Sequence, residues 1–289
     1  MRRAPALLNE RQYPPALPAP CGPLDHGLTV RVLDRLGMTE RPPVSLPALE
    51  RIYRAWCRAV PFDNVLRRIQ IAQGGTGPLP GCQPEEFFFQ FLAHGTGGPC
   101  TPTSEALCAL LEAIGFTVAR APATIAELHD EPVGHSTLIV ALEGERYALD
   151  TAILCERPIP LVQTNTMIED SLHPIAIEHI ADTWRISYLS SGRRHAMTCV
   201  VFDTLIDSQT CVNLYHVTQH TRRFSCFNSA LYLRLNRADT ILTFIGQFRI
   251  ETTAAGETHE AFLGRERAQA LIEDAHLSSA IVKSLPPDA

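Results

Sequence analysis

At Gly115 the hydrophobic spacing changes from a helical period to a strand period, and that change sets the fold class. Upstream, Leu24, Leu28, Val32 and Leu36 fall on one helix face, and Gly37 is placed to end it. "SLPALERIYRAWCRAV" has Ser45 as an N-cap, Pro47 in the first turn and a stripe of Leu49, Ile52, Tyr53 and Trp56. "EEFFFQFLAHG" reads as a short helix ending at Gly95, with Phe87, Phe88, Phe89 and Phe91 assigned to the core. In the next helix Thr101 is the expected N-cap and Pro102 the first helical residue, so Cys100 precedes the helix. Leu107, Leu110, Leu111 and Ile114 form its core face.

Downstream the period is two. "FTVARAPATI", "HSTLIVALEG" and "ERYALDTAI" read as strands, the last two as a hairpin turning at Glu143-Gly144. "TWRISYL", "AMTCVVFD" and "ALYLRLNRADTILTFIGQFRI" continue the pattern, and "ERAQALIEDAHL" returns to helix. Helices, then strands, then a mixed tail imply an α+β fold: an N-terminal helical bundle, a central β-barrel or sheet domain and a C-terminal α/β lid. The expected divisions are a proline-rich arm at 1–23, a helical domain at 24–116, a β domain at 117–220 and the lid at 221–289.

A formal net charge of −6 argues against nucleic acid as a partner. No run approaches the ~18 apolar residues of a membrane span. The start of the chain lacks the apolar core of a signal peptide. The nine cysteines are scattered, odd in number and without a CxxC pair, which fits neither a zinc site nor a disulfide framework. These features imply a soluble, cytoplasmic protein with reduced thiols and no bound metal.

Among the cysteines Cys100 stands apart. It follows Gly97, Gly98 and Pro99 at the start of a helix, where aligned peptide dipoles favour a thiolate. The same residue could also be a small buried hydrophobe. A nucleophile needs a base and a group to orient it. With the hairpin turning at Glu143-Gly144, Leu142 faces Glu145 and Thr137 faces Asp150, with His135 one diagonal away. His135 and Asp150 then share a strand face. The alternatives are a surface histidine and a carboxylate capping a strand end.

Other clusters carry less. His216 and His220 are spaced i, i+4, which would suit a metal only on a helix. Cys21 with His26 and Cys82 with His94 lack further ligands. Arg193, Arg194, Arg222 and Arg223 could meet phosphates or be solvated surface, the latter being the expectation.

"LDRLG", "SLPALERIYRAWCRAVPFDN", "GGPC", "EALCALLEAIGFTVARAPATI", "GHSTLIVALEGERYALD" and "NSALYLRL" occur in an order that resembles the arylamine N-acetyltransferase family over residues 24 to 250. The resemblance implies a Cys-His-Asp triad of Cys100, His135 and Asp150, with Asp63 in the acidic place of a Pro-Phe-Glu-Asn element. It implies substrate contacts from Phe62, Gly97, Gly98, Thr101, Ser104, Gly134 and Ser136. The expected activity is an amine N-acyltransferase moving an acyl group from acyl-CoA or an acyl-carrier-protein thioester, through an acyl-cysteine, to a small-molecule amine. Specialised natural-product amide formation is one setting for it. The alternatives are a thioesterase or amidase with the same triad, and a non-catalytic binding descendant of the fold. This chain departs from the family's usual pattern around the nucleophile. Thr96 stands for an arginine, Pro99 for an aromatic, and "TAIL" follows the aspartate.

Overall fold

A computed structural model describes residues 24–75, 79–125, 134–189, 197–218 and 228–288. The arm at 1–23, His220 and the four arginines at 193, 194, 222 and 223 lie outside the described residues.

The helical segment holds α1 (His26–Arg35), α2 (Leu46–Ala59), α3 (Val65–Ala72), α4 (Pro84–His94) and α5 (Cys100–Ile114). Asp25 caps α1 by accepting from the Leu28 N–H, and Ser45 caps α2 through the Ala48 N–H. α4 and α5 both end on a left-handed glycine, Gly95 and Gly115. Leu49, Ile52, Tyr53 and Trp56 are fully buried, as are Phe88 and Phe91, whereas Phe89 is exposed and lies outside the core expected for it. α5 starts two residues earlier than its sequence suggests. Pro99 is the N-cap, so Cys100 belongs to the first turn, and the Thr103 hydroxyl donates back to the Pro99 or the Cys100 carbonyl.

The β segment is a curled eight-stranded antiparallel sheet, half of a barrel, in the order β5-β4-β3-β2-β9-β8-β7-β6. β2 (Thr117–Ile125), β3 (His135–Leu142) and β4 (Glu145–Leu149) lie at its centre, with β9 (Met197–Phe202) against β2. Leu142 pairs with Glu145 and Leu138 with Leu149, the register set by the Glu143-Gly144 turn. β4 stops at Leu149, short of the strand expected to Ile153. The remaining strands of the sheet are β5 (Ile159–Pro160), β6 (Thr166–Ile168), β7 (Ile175–Ile180) and β8 (Thr183–Tyr188). α5 packs on β2 and β3. The charge carried into that contact, Glu105, is balanced by Arg120 at 2.6 Å and a hydroxyl from Ser208.

Ser208 opens α6 (Ser208–Thr218), a helix that the sequence does not announce and that carries His216. The last segment is a five-stranded sheet, β1-β10-β11-β12-β13, with α7 (Gly264–Glu273) and α8 (Ser279–Ser284). Its strands are β10 (Tyr232–Asn236), β11 (Ile241–Ile245), β12 (Phe248–Thr253) and β13 (Gly256–Ala261), joined by a two-residue strand from the helical segment, β1 (Phe62–Asp63). Val65 and Ile69 of α3 enter the same core as Leu233, Phe244 and Leu271. The helical segment and the last segment are thus knitted together through β1 and α3. Among the described residues no helix is long and apolar enough to cross a membrane.

Candidate active site

The loop "TGGPC" is held from behind. The buried Asp63 carboxylate accepts the Gly97 N–H at 2.6 Å through Oδ2 and the Val65 N–H at 2.9 Å through Oδ1. The Asp63 N–H in turn donates to the Gly98 carbonyl, and Phe62 bridges Gly98. A Cβ on Gly97 would lie 1.7 Å from the Pro61 carbonyl oxygen, so this approach needs glycine. Burial pushes the Asp63 carboxyl up to about 6, against the two N–H groups that favour its charge.

From the loop the chain enters α5, which presents Cys100. The turn after β4 locks against it: Thr151 Oγ1 lies 2.9 Å from Thr103 Oγ1 and 3.0 Å from Ser104 Oγ. Cys100 Sγ reaches the Gly134 carbonyl at 4.0 Å, one residue before His135.

His135 opens β3 and Asp150 follows the end of β4. His135 Nε2 and Asp150 Oδ2 are 2.7 Å apart, the bent contact that the hairpin register allows. Asp150 also caps the strand end, since its Oδ1 accepts the N–H groups of Ala152 and Ile153. The two readings open at the sequence level are both realised in one side chain. The Tyr53 hydroxyl donates to the Asp150 carbonyl at 2.6 Å and fixes the backbone.

Burial disfavours charge on both members of the pair. For His135 the adjacent Asp150 carboxylate outweighs it, with smaller help from Cys199 and Cys100, and the imidazole is raised well above its ordinary value. For Asp150 the His135 charge and the backbone N–H groups outweigh burial, and the carboxyl is lowered.

Cys199 of β9 lies near the same imidazole: one donor atom each from His135, Asp150 and Cys199 fall within 4.8 Å of one another. That set could close on a cation only if the His135–Asp150 hydrogen bond opened. Burial raises the Cys199 thiol, as it does those of Cys57, Cys82, Cys108, Cys155 and Cys211.

Cys100 and His135 open onto a cavity of about 220 Å³ shared with Phe62, Gly134 and, from distant parts of the chain, Thr124, Ile125, Ala152, Ile153, Met197, Tyr232 and Arg234. Of the residues expected at the substrate, Phe62 and Gly134 line it. Gly97 and Gly98 shape the loop behind it. Thr101 and Ser104 are buried in the helix start, and Ser136 is buried on β3 next to His135. Thr124, Ile125, Tyr232 and Arg234 fall in segments that carry the family resemblance, yet nothing in those segments or around Met197 assigns them to the site, and only packing reveals them.

A family model described as N-acetyltransferase matches residues 45–266. Among solved structures, an arylamine N-acetyltransferase from Mycobacterium smegmatis superposes with a TM-score of 0.75 at 20% identity, over 91% of this chain and 97% of the other. One from M. tuberculosis gives 0.72 at 17% identity, over 91% and 99%. A Mycobacterium marinum arylamine N-acetyltransferase in complex with CoA gives 0.74 at 18% identity, over 88% and 94%. No curated protein sequence matches.

Proposed function

The chain belongs to the N-acetyltransferase family, whose enzymes transfer acyl groups to amines, and on that premise we propose that Cys100, His135 and Asp150 are its catalytic triad. The proposed donor is a thioester of coenzyme A, by analogy with the M. marinum neighbour solved with CoA, or of an acyl carrier protein. The observation that carries the reading is the continuous line from Cys100, at the cavity and in contact with His135, to the 2.7 Å His135–Asp150 pair.

In this mechanism the Cys100 proton passes to His135 and the thiolate attacks the thioester carbonyl. The tetrahedral adduct expels the donor thiolate, which takes a proton from His135 and leaves an acyl-cysteine. An amine then enters the cavity, His135 accepts its proton, and the amine nitrogen forms the new amide bond as Cys100 departs. Asp150 holds the ring so that the nitrogen opposite Nε2 faces the sulfur.

The test is intact mass after mixing with a panel of acyl-CoA and acyl-carrier thioesters, wild type beside Cys100→Ala. A mass gain of one acyl group on wild type alone, discharged to an amide by added amine, is the expected result. A gain that survives Cys100→Ala, or none with any donor, overturns the proposal. Discharge to free acid alone points to the hydrolase.

A further inference from the structure

Two members of the proposed triad reach the site on separate elements. Cys100 comes on the first turn of α5, and Asp150 follows the end of β4. Attack through an acyl-cysteine needs the sulfur and the imidazole in a fixed relation, because a misplacement of about 1 Å costs roughly 10²-fold. Apart from its contact with His135, the Cys100 sulfur has only a weak tether, the 4.0 Å approach to the Gly134 carbonyl.

A second connection runs through the Cys100 backbone. Thr103, Ser104 and Thr151 are each 1% exposed or less, and their hydroxyls form one cluster. Thr151 Oγ1 lies 2.9 Å from Thr103 Oγ1, 3.0 Å from Ser104 Oγ and 3.4 Å from the Cys100 carbonyl oxygen. Thr103 Oγ1 lies 2.8 Å from the Pro99 carbonyl oxygen and 3.0 Å from that of Cys100. Each hydroxyl has one proton to donate. Ser104, whose partner here is Thr151, donates to Thr151 Oγ1. Thr151 donates onward to Thr103 or to the Cys100 carbonyl, and Thr103 ends the chain on the Pro99 or Cys100 carbonyl. None of the three side chains lines the cavity.

Thr151 sits in a turn that is held on both sides. Asp150 Oδ1 accepts the N–H groups of Ala152 and Ile153, and the Tyr53 hydroxyl donates to the Asp150 carbonyl. Cys100, His135, Asp150 and Thr151 therefore form a closed ring, with the sulfur on one side and the Cys100 carbonyl on the other. Replacing a whole group of mutually bonded hydroxyls by apolar isosteres can be nearly neutral for stability. What such replacements cannot reproduce is direction, since only a hydrogen bond fixes one backbone turn against the other at a set angle. We propose that Thr151 is a positioning residue for acyl transfer, and that with Thr103 and Ser104 it sets where Cys100 stands relative to the His135–Asp150 pair. The inference rests on the acyl-transfer reading above. It gives Ser104 a role away from the substrate.

The experiment follows single-turnover acylation of Cys100 by acetyl-CoA, with a thermal melt of each protein. Thr151→Val removes the hydroxyl at constant shape. It should lower the saturating acylation rate by about 10–100-fold, while the half-saturating acetyl-CoA concentration barely moves, because the cluster touches no substrate. Thr151→Ser keeps the hydroxyl and should recover most of the rate. The triple variant Thr103→Val, Ser104→Ala, Thr151→Val leaves no hydroxyl of the cluster unpaired. Its melting temperature should lie within a few degrees of wild type, and its acylation should stay roughly tenfold or more below it. Wild-type acylation in the triple variant, a Thr151→Val loss confined to half-saturation, or rates that follow the melting temperature across the set would each overturn the proposal while leaving acyl transfer intact. If acetyl-CoA does not acylate wild type, that donor fails. Positioning is then read from the rate at which iodoacetamide alkylates Cys100, which should fall severalfold in Thr151→Val and recover in Thr151→Ser, and an unchanged rate overturns it.

Discussion

His135 Nε2 and Asp150 Oδ2 meet at 2.7 Å, while the second oxygen of the same carboxylate accepts two backbone N–H groups of the turn that follows. One side chain therefore both orients the imidazole and closes the strand end.

Asp150→Asn separates those two tasks. The amide oxygen can still accept from Ala152 and Ile153, so the turn survives and the melting temperature should move by only a few degrees. The amide N–H₂ then faces Nε2 and removes the charge that raises His135. Acyl transfer should fall roughly 10²–10⁴-fold, read as kcat/KM beside a thermal melt. A loss under tenfold would mean that His135 does not depend on Asp150.

Thiol reactivity should follow the cavity. Cys100 opens onto it, whereas Cys57, Cys108, Cys155, Cys199 and Cys211 are 1% exposed or less. Substoichiometric iodoacetamide, mapped by peptide mass, should label Cys100 ahead of these five in the folded protein. Cys199→Ala should leave that labelling in place, and Cys100→Ala should abolish it. Prior labelling at Cys199 would shift the nucleophile to the other thiol beside His135.

Asp63 gives a pH signature. Its carboxyl is raised from 3.8 to about 6 in the fold. A raised acid adds stability that is full below the unfolded value and is lost as pH rises through the folded one. Asp63→Asn also puts an amide N–H₂ against one of two backbone N–H groups, which costs about 1–3 kcal/mol. The melting-temperature loss relative to wild type should therefore be larger near pH 4.5 than at pH 7.5, and level above about 6.5. All other titrations are common to both proteins, so the difference isolates this group. A loss that grows with pH would contradict it.

Gly97→Ala tests the close approach of two backbones. The added Cβ would sit 1.7 Å from the Pro61 oxygen, a contact that neither backbone can absorb in place. The loop must move, and Cys100 lies three residues on. Acyl-enzyme formation should fall at least tenfold, with a melting temperature lower by about 5 °C or more. Near-normal activity would mean that the loop does not position the nucleophile.

Much of the fold was legible. Each long amphipathic helix and the central hairpin follow from local periodicity, and the His135–Asp150 contact follows from counting residues across one turn. Other elements were not. β1 has two residues, too few for any pattern. α6 mixes polar and β-branched residues, yet Cys211, Val212, Leu214 and Tyr215 are buried against other parts of the chain. "ERYALDTAI" alternates like a strand to its end, but the Asp150 side chain takes up the N–H groups of Ala152 and Ile153 and turns the chain instead. Sequence periodicity does not report where a side chain's oxygen goes.

What the sequence determined by itself was local. Side-chain direction in helices and strands, and the length of one turn, place Leu49 and Trp56 in a core and put His135 and Asp150 on one face. Only the tertiary structure decided that Cys100 sits beside His135, and that Phe62, Met197 and Arg234 enclose the space before it. Those residues are separated by long stretches of chain and meet because α5 packs on β2 and β3 and because β1 pairs with β10. Such contacts depend on the summed packing of whole elements, and no spacing within a short window encodes them.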